Sequence, residues 1–334
     1  MTRAAAARVS TGPLAVSGDT AGPTRRFLSV ADLTPEQLEH CLALAARLKR
    51  ERALGACAPT AAALSGRHVA FLFDKLSLRT RTTFEVAVRE LGAHPIALPA
   101  EVALGEREPV ADVARNLERW VHAVVIRTYG QGVIEEFASA APGLVVINAL
   151  TDEEHPCQAL ADYLTLYEHV GELQGRTLAF VGDGNNVATS LAHAGMMLGV
   201  NVHVASPAGY ELRDAVVRHA HRLSRHGAEL RLYTDPRQAV RGAAAIYTDV
   251  WTSMGQEAEA SERRAAFARY QVDRALMAQA GRDARFMHCL PAHRDEEVTS
   301  DVFDSPASIV FDQAENRLHT QKALLLTLLA PQYA

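Results

Sequence analysis

The chain holds little of what would staple a fold from outside or carry it across a membrane. Four cysteines in 334 residues, Cys41, Cys57, Cys157 and Cys289, are scattered and form no disulfide framework. No Cys-x-x-Cys or His-x-x-x-His pair offers zinc-site spacing, so no metal is expected. Apolar runs stay short of the roughly 18 residues a membrane helix needs. Excess charge is lacking too. A balance of 34 basic against 39 acidic residues leaves a net −5, which gives nucleic acid or an anionic membrane no handle. No segment repeats at a solenoid period. What is left is an ordinary globular composition, 48% hydrophobic and 22% charged, expected in a reducing, cytoplasmic setting. At roughly 100–200 residues per domain, the length suggests two domains.

Residues 1–26 are rich in Ala, Ser, Thr, Gly and Pro, with Asp19 the lone acid. Arg3, Arg8, Arg25 and Arg26 in that setting admit a transit peptide. Gly and Pro break any amphipathic helix there, so a disordered N-terminal tail is the expectation. Beyond it, alternation takes over. Thr34-Pro35 opens a helix with Leu38, Cys41, Leu42 and Ala45 on one face. Apolar runs at His68–Phe73, His94–Leu98, Ala123–Arg127 and Leu144–Asn148 read as buried parallel strands. Helices over Arg79–Leu91, Val110–Trp120 and Val133–Ala141 alternate with them. A second set follows: a helix over Pro156–Val170, then strands at Thr177–Val181, Asn201–Ala205, Glu229–Tyr233, Ala244–Thr248 and Phe286–Leu290. Gly182-Asp-Gly184-Asn-Asn-Val leads into a helix that runs to Leu198, and a terminal helix spans Gln321–Leu329. The expected fold class is α/β: two doubly wound domains, each with a central parallel β-sheet flanked by helices, linked by long helices. The break falls near residue 150. It gives a first domain over 27–150, onto which a C-terminal helix at 318–332 packs back, and a second over 151–317.

Chemistry-bearing side chains gather where strands end. Phe73-Asp-Lys-Leu-Ser77-Leu-Arg79-Thr80-Arg81 runs from a strand into a helix. Free backbone N–H groups and the helix dipole favour an anion there, and Ser77, Thr80 and the Arg79 fork suit phosphate oxygens. Arg81, four residues before Glu85, reads as an ion-pair partner instead. Arg127 ends a strand, where open α/β sheets bind ligands. In His155-Pro-Cys-Gln158, the His and Gln either donate together toward a nascent oxyanion or cap their own helix. Asp249-x-x-x-Ser253-Met254-Gly255 sets a carboxylate and a hydroxyl beside a turn glycine, as an amino-acid substrate needs, or is simply a polar loop. Within His288-Cys289-Leu290-Pro291-Ala-His293, Cys289 is a reactive thiol, a metal ligand or a packed small residue. Glu315-Asn316-Arg317 reads as a solvated turn before the last helix.

The combination of Ser77-Leu-Arg79-Thr80-Arg81, His155-Pro-Cys-Gln158, Asp249-x-x-x-Ser253-Met254-Gly255 and His288-Cys-Leu-Pro291 resembles the ornithine carbamoyltransferases of the aspartate/ornithine carbamoyltransferase family, over Phe27 to Leu329. The resemblance implies transfer of a carbamoyl group from carbamoyl phosphate to the δ-amine of ornithine, giving citrulline. It implies that Ser77, Leu78, Arg79, Thr80, Arg127, His155, Gln158, Cys289, Leu290 and Arg317 hold carbamoyl phosphate. Asn186, Asp249, Ser253 and Met254 would hold ornithine, with Cys289, Asp249, Arg127 and His155 catalytic. It further implies no metal, no organic cofactor, and a homotrimer or a multiple of trimers. The Ser253-Met254-Gly255 loop separates it from the aspartate-using relatives.

Two positions depart from the pattern: Ala103, where Gln or His is usual, and Asp295, where a small residue is common. They motivate an alternative acceptor, such as an acylated ornithine or putrescine. Val181-Gly-Asp-Gly184-Asn-Asn-Val187 resembles the start of a dinucleotide fingerprint, with Val187 in place of the third glycine. A zinc module on His155, Cys157, Cys289 and His293 is the remaining rival.

Overall fold

The computed structural model describes residues 26–75, 77–99, 104, 107–253 and 255–334. The expected tail up to residue 25, Ala103 and Met254 lie outside the described residues.

The architecture is α/β with two doubly wound parallel sheets. The first holds β1 (Arg26–Phe27), β2 (His68–Phe73), β3 (His94–Leu98), β4 (Ala123–Arg127) and β5 (Val145–Leu150), in the order β1-β5-β4-β2-β3. The second holds β6 (Thr177–Val181), β7 (Asn201–Ala205), β8 (Leu230–Tyr233), β9 (Ala245–Thr248) and β10 (Arg285–His288), in the order β10-β9-β6-β7-β8. Every residue of β4 and β5 is buried, which explains their unbroken apolar runs: both faces are covered.

Strand order places the ligand crevices. From β2 the chain winds outward to β3, and from β4 it winds the other way to β5. The connections part between β2 and β4, leaving a crevice at their carboxyl ends. The second sheet parts likewise between β6 and β9.

The main helices are α1 (Pro35–Glu51), α2 (Leu78–Glu90), α3 (Val110–Glu118), α4 (Gln131–Ala140), α5 (Pro156–Val170), α6 (Asn186–Met197), α7 (Asp214–Leu223), α8 (Ala260–Phe267) and α9 (Val310–Leu329). Thr34 caps α1 in a reciprocal box with Gln37, as Thr-Pro at that point predicts. α5 follows β5 directly, and α9 packs against α1, α2 and α5.

One expectation needs correcting. The last helix starts at Val310, not Gln321, so Glu315-Asn316-Arg317 is helix rather than turn. Gln313, Asn316 and Arg317 are buried and hydrogen-bonded, so the first half of α9 packs through polar pairs and shows no apolar stripe. Strand β10 stops at His288, leaving Cys289 and Leu290 on the loop beyond it. Strand β1, only two residues long, carries no period to read.

Candidate active site

Both crevices open on one cavity of about 540 Å³. Lys75, Ser77, Leu78, Arg79, Thr80, Arg127 and His155 line one wall. Asn185, Asn186, Asp249, Ser253, Cys289 and Leu290 line the other, and Arg317 reaches in from α9.

The first wall suits a multiply charged anion. Ser77 is the N-cap of α2 in extended backbone (φ −156°, ψ 102°), and its side chain caps nothing. The first-turn N–H groups and the hydroxyl are therefore left for a ligand. Arg317 donates to Thr80 Oγ1 at 2.9 Å and to Gln158 Oε1. The Nε atoms of Arg127 and Arg317 are buried without a partner among the described residues. Burial, aided by Arg317 and Arg79, pulls Arg127 down to about 10, so it stays cationic at neutral pH. Burial and the same cations hold His155 well below the usual histidine range. Its ring is neutral and its Nδ1 is unpartnered among the described residues. Lys75 pairs with Asp152 and sits 4.0 Å from the Tyr129 ring centroid.

The second wall suits a cation. Asp249 Oδ1 accepts from the Cys289 thiol at 3.0 Å and from Val250 N–H at 2.8 Å. Its Oδ2 accepts from Asn185 Nδ2 at 2.9 Å. Asn185 uses its other atom, Oδ1, to cap α6 at Val187 and Ala188. Asn186 donates to the Thr151 carbonyl, and Ser253 N–H donates to Gln256 Oε1 at 3.0 Å. Behind this loop, buried Arg263 donates to the Trp251 carbonyl and pairs with Asp183.

Several expectations change. Gln158 does not line the cavity; its Nε2 donates to Asp162 Oδ1 at 2.7 Å while its oxygen accepts from Arg317. It aims an arginine rather than an oxyanion donor of its own. His155 does not cap α5 either. The Cys289 thiol is pushed well above its ordinary value by burial and by Asp249, so it is a hydrogen-bond donor and not a thiolate nucleophile. Cys157 turns away to the Asn148 carbonyl, 3.3 Å off, and leaves the proposed zinc quartet unconverged. Asp295 is exposed, accepts from Ser300 N–H at 3.1 Å and lies outside the cavity lining. Arg81 pairs with Glu85 at 3.1 Å, as its spacing predicts. The fingerprint-like Gly184 serves packing, since a Cβ there would collide with the backbone of Glu211 and Leu212.

Sequence reasoning missed Lys75, Tyr129, Asp152, Asn185 and Gln256 in the lining, and it raised His293 only as a thiol neighbour and zinc ligand. Lys75 lies two residues before Ser77, and Asn185 stands beside Asn186. Tyr129 and Asp152 carry no motif.

Comparison with known proteins agrees with this geometry. The carbamoyl-P binding domain of aspartate/ornithine carbamoyltransferases matches residues 25–168, and the Asp/Orn binding domain matches residues 174–328. An ornithine carbamoyltransferase of Acidothermus cellulolyticus is 52% identical over 308 residues, 91% of this chain and 96% of its own length. The solved ornithine carbamoyltransferase of Pyrococcus furiosus is 46% identical with a TM-score of 0.88, covering 93% of this chain and 98% of that one. That of Thermus thermophilus is 44% identical with a TM-score of 0.81, covering 91% and 99%. Two doubly wound sheets, an arginine-lined wall and a facing carboxylate thus accompany sequence identity along nearly the whole chain, and the chain belongs to the aspartate/ornithine carbamoyltransferase family.

Proposed function

We propose that the chain transfers the carbamoyl group of carbamoyl phosphate to the δ-amine of L-ornithine, yielding L-citrulline and phosphate, within arginine and citrulline metabolism. The observation that carries this reading is one cavity with Arg79, Arg127, Arg317 and a bare helix terminus on one wall and the Asp249–Cys289–Asn185 cluster on the other. The names of the relatives support ornithine as the acceptor.

In this reading the phosphate sits on the α2 amides, Ser77, Arg79 and Arg317. The carbamoyl oxygen faces Arg127, His155 and Thr80. Because His155 is neutral, it donates a hydrogen bond without adding a further positive charge. Each oxyanion donor contributes on the order of 3 kcal/mol in the transition state.

The ornithine δ-amine resembles lysine, with a pKa of about 10.4, so its free base at pH 7 costs about 4.6 kcal/mol. Asp249 receives the ammonium and passes one proton to solvent, while Cys289 and Asn185 keep the carboxylate oriented. The neutral nitrogen then attacks the carbamoyl carbon. The C–O bond to phosphate breaks with its electron pair leaving on phosphate, which takes the second amine proton. Asn186, Ser253 and Met254 would hold the amino-acid end.

We assign carbamoyl phosphate binding to 27–150, joined by His155 and Arg317 and with residues 318–329 of α9 packed back on it, and ornithine binding to the rest of 151–317. A cytoplasmic homotrimer, or a multiple of trimers, completes the proposal. The test is carbamoyl transfer, read as phosphate released and the ureido product formed, assayed with ornithine, putrescine and an acylated ornithine as acceptors. Ornithine should give the highest kcat/KM, and a higher value for another amine overturns the acceptor assignment.

A further inference from the structure

Behind the cavity lies a buried acid that touches no substrate position. Asp162, on α5, is buried, and it stands where the parts of the site join. Its Oδ1 accepts from Gln158 Nε2 at 2.7 Å and from Gln313 Nε2 at 2.6 Å, and its Oδ2 accepts from the Tyr247 hydroxyl at 3.2 Å. Each glutamine passes the constraint on. Gln158 Oε1 accepts from Arg317, which also donates to Thr80. Gln313 Oε1 accepts from His288 N–H at 3.1 Å, beside Cys289.

An ionised carboxylate only accepts. Both carboxamides must therefore turn their NH2 groups toward Asp162, which leaves their oxygens facing Arg317 on one side and the His288 backbone on the other. We propose that Asp162 is a positioning residue for carbamoyl transfer, whose ionised, acceptor-only carboxylate sets the amide sense of Gln158 and Gln313 and so aims Arg317 at the donor and holds the Cys289 loop. This inference rests on the proposed function above.

A neutral side chain at 162 loses that polarity. A protonated Asp or an Asn carries a donor as well as an acceptor and is a weaker, uncharged acceptor. A glutamine that meets its donor loses a partner for NH2 or must turn NH2 against the donor-only guanidinium or N–H, and either outcome loosens Arg317 or the His288 backbone. Burial pushes Asp162 up to about 7, against the lowering pull of Gln158, Gln313, Arg317 and Tyr247. The titratable and charged groups facing it are Arg317 on α9, Tyr247 on β9, Cys289 beyond β10 and Tyr163 on α5 itself. The aiming is complete above about 7 and lost as pH falls through it.

Asp162→Asn tests this at nearly constant shape. Affinity is measured by calorimetry with a stable carboxamide phosphonate that mimics carbamoyl phosphate, from pH 6 to 8.5. Comparing variant with wild type at each pH cancels the probe's own titration. The expected result is binding about tenfold weaker than wild type at pH 8, with the penalty shrinking toward none at pH 6. A penalty independent of pH means a merely structural role. Unchanged or tighter binding at pH 8 means that removing a negative charge near an anion site outweighs aiming. Either result overturns the proposal.

Should the Asn variant fail to fold, Tyr247→Phe removes one donor to the same carboxylate, along with the hydroxyl's hydrogen bond with the Cys289 thiol. It should move the acid limb of probe binding to higher pH, and an unmoved limb overturns the proposal. Wild-type enzyme that makes no citrulline defeats the underlying function instead, so the two failures are distinguishable.

Discussion

The two crevices share one strand logic and have opposite electrostatics. Between β2 and β4 the helix that follows starts bare: Ser77 caps nothing and three arginines surround it. Between β6 and β9 the helix that follows starts closed: Asn185 caps Val187 and Ala188 and turns its amide to Asp249. A bare helix N-terminus attracts an anion, and a capped one with a carboxylate beside it does not. Topology thus supplies two mouths, and a few side chains at each helix start decide the charge each one presents, which in the proposed function assigns the phosphate to the first and the amine to the second.

The sharpest break of this contrast is Arg79→Ala. It should lower kcat/KM for carbamoyl phosphate on the order of a thousandfold, about 4 kcal/mol of transition-state stabilisation. Steady-state kinetics with loss under tenfold would take Arg79 out of the anion wall. Asp249→Asn strikes the other mouth. It should cost about a hundredfold in kcat/KM for ornithine, as truncating one partner of a buried charge pair does, and leave affinity for the phosphonate probe unchanged. Equal loss toward both substrates would show that the walls are not separable.

Asn185→Ala removes a cap and a tether together. Loss of the cap should cost about 1 kcal/mol, or roughly 2–4 °C in Tm by calorimetry, with KM for ornithine raised several-fold. A lowered Tm with unchanged KM would leave Asn185 a cap only. Cys289→Ser keeps a donor to Asp249 and should lose about tenfold or less in kcat. Complete inactivity would restore a chemical role to the thiol. Smallest of all, Arg81→Ala breaks a surface i, i+4 pair and should change stability by about 0.5 kcal/mol or less, with kinetics unmoved.

Much of this contrast was legible beforehand, and its gaps have physical causes. The alternation of apolar runs and amphipathic stretches showed the parallel sheets, because strands covered on both faces need unbroken hydrophobic runs. The helix start at Ser77 was legible because strand, turn and helix start lie together in sequence. Gln158 was misread because spacing shows that a side chain is near a helix start and says nothing of what waits behind it. Here that is Asp162, whose carboxylate turns the amide inward. Arg317 looked solvated because a helix buried through hydrogen bonds has no stripe to detect. Asn185 was passed over for its neighbour Asn186, since two adjacent amides look alike until one is seen to cap.

By itself, then, the sequence determined the two-sheet α/β plan, the helix start at Ser77 and the family, since all three depend on local pattern and short contiguous motifs. Only the tertiary structure decided that Arg127, Arg317, Asp249 and Cys289 share one cavity, and which way each buried amide points. Those are long-range facts: in a close-packed interior, hydrogen-bond polarity is set by partners far away in the chain, and no local spacing encodes it.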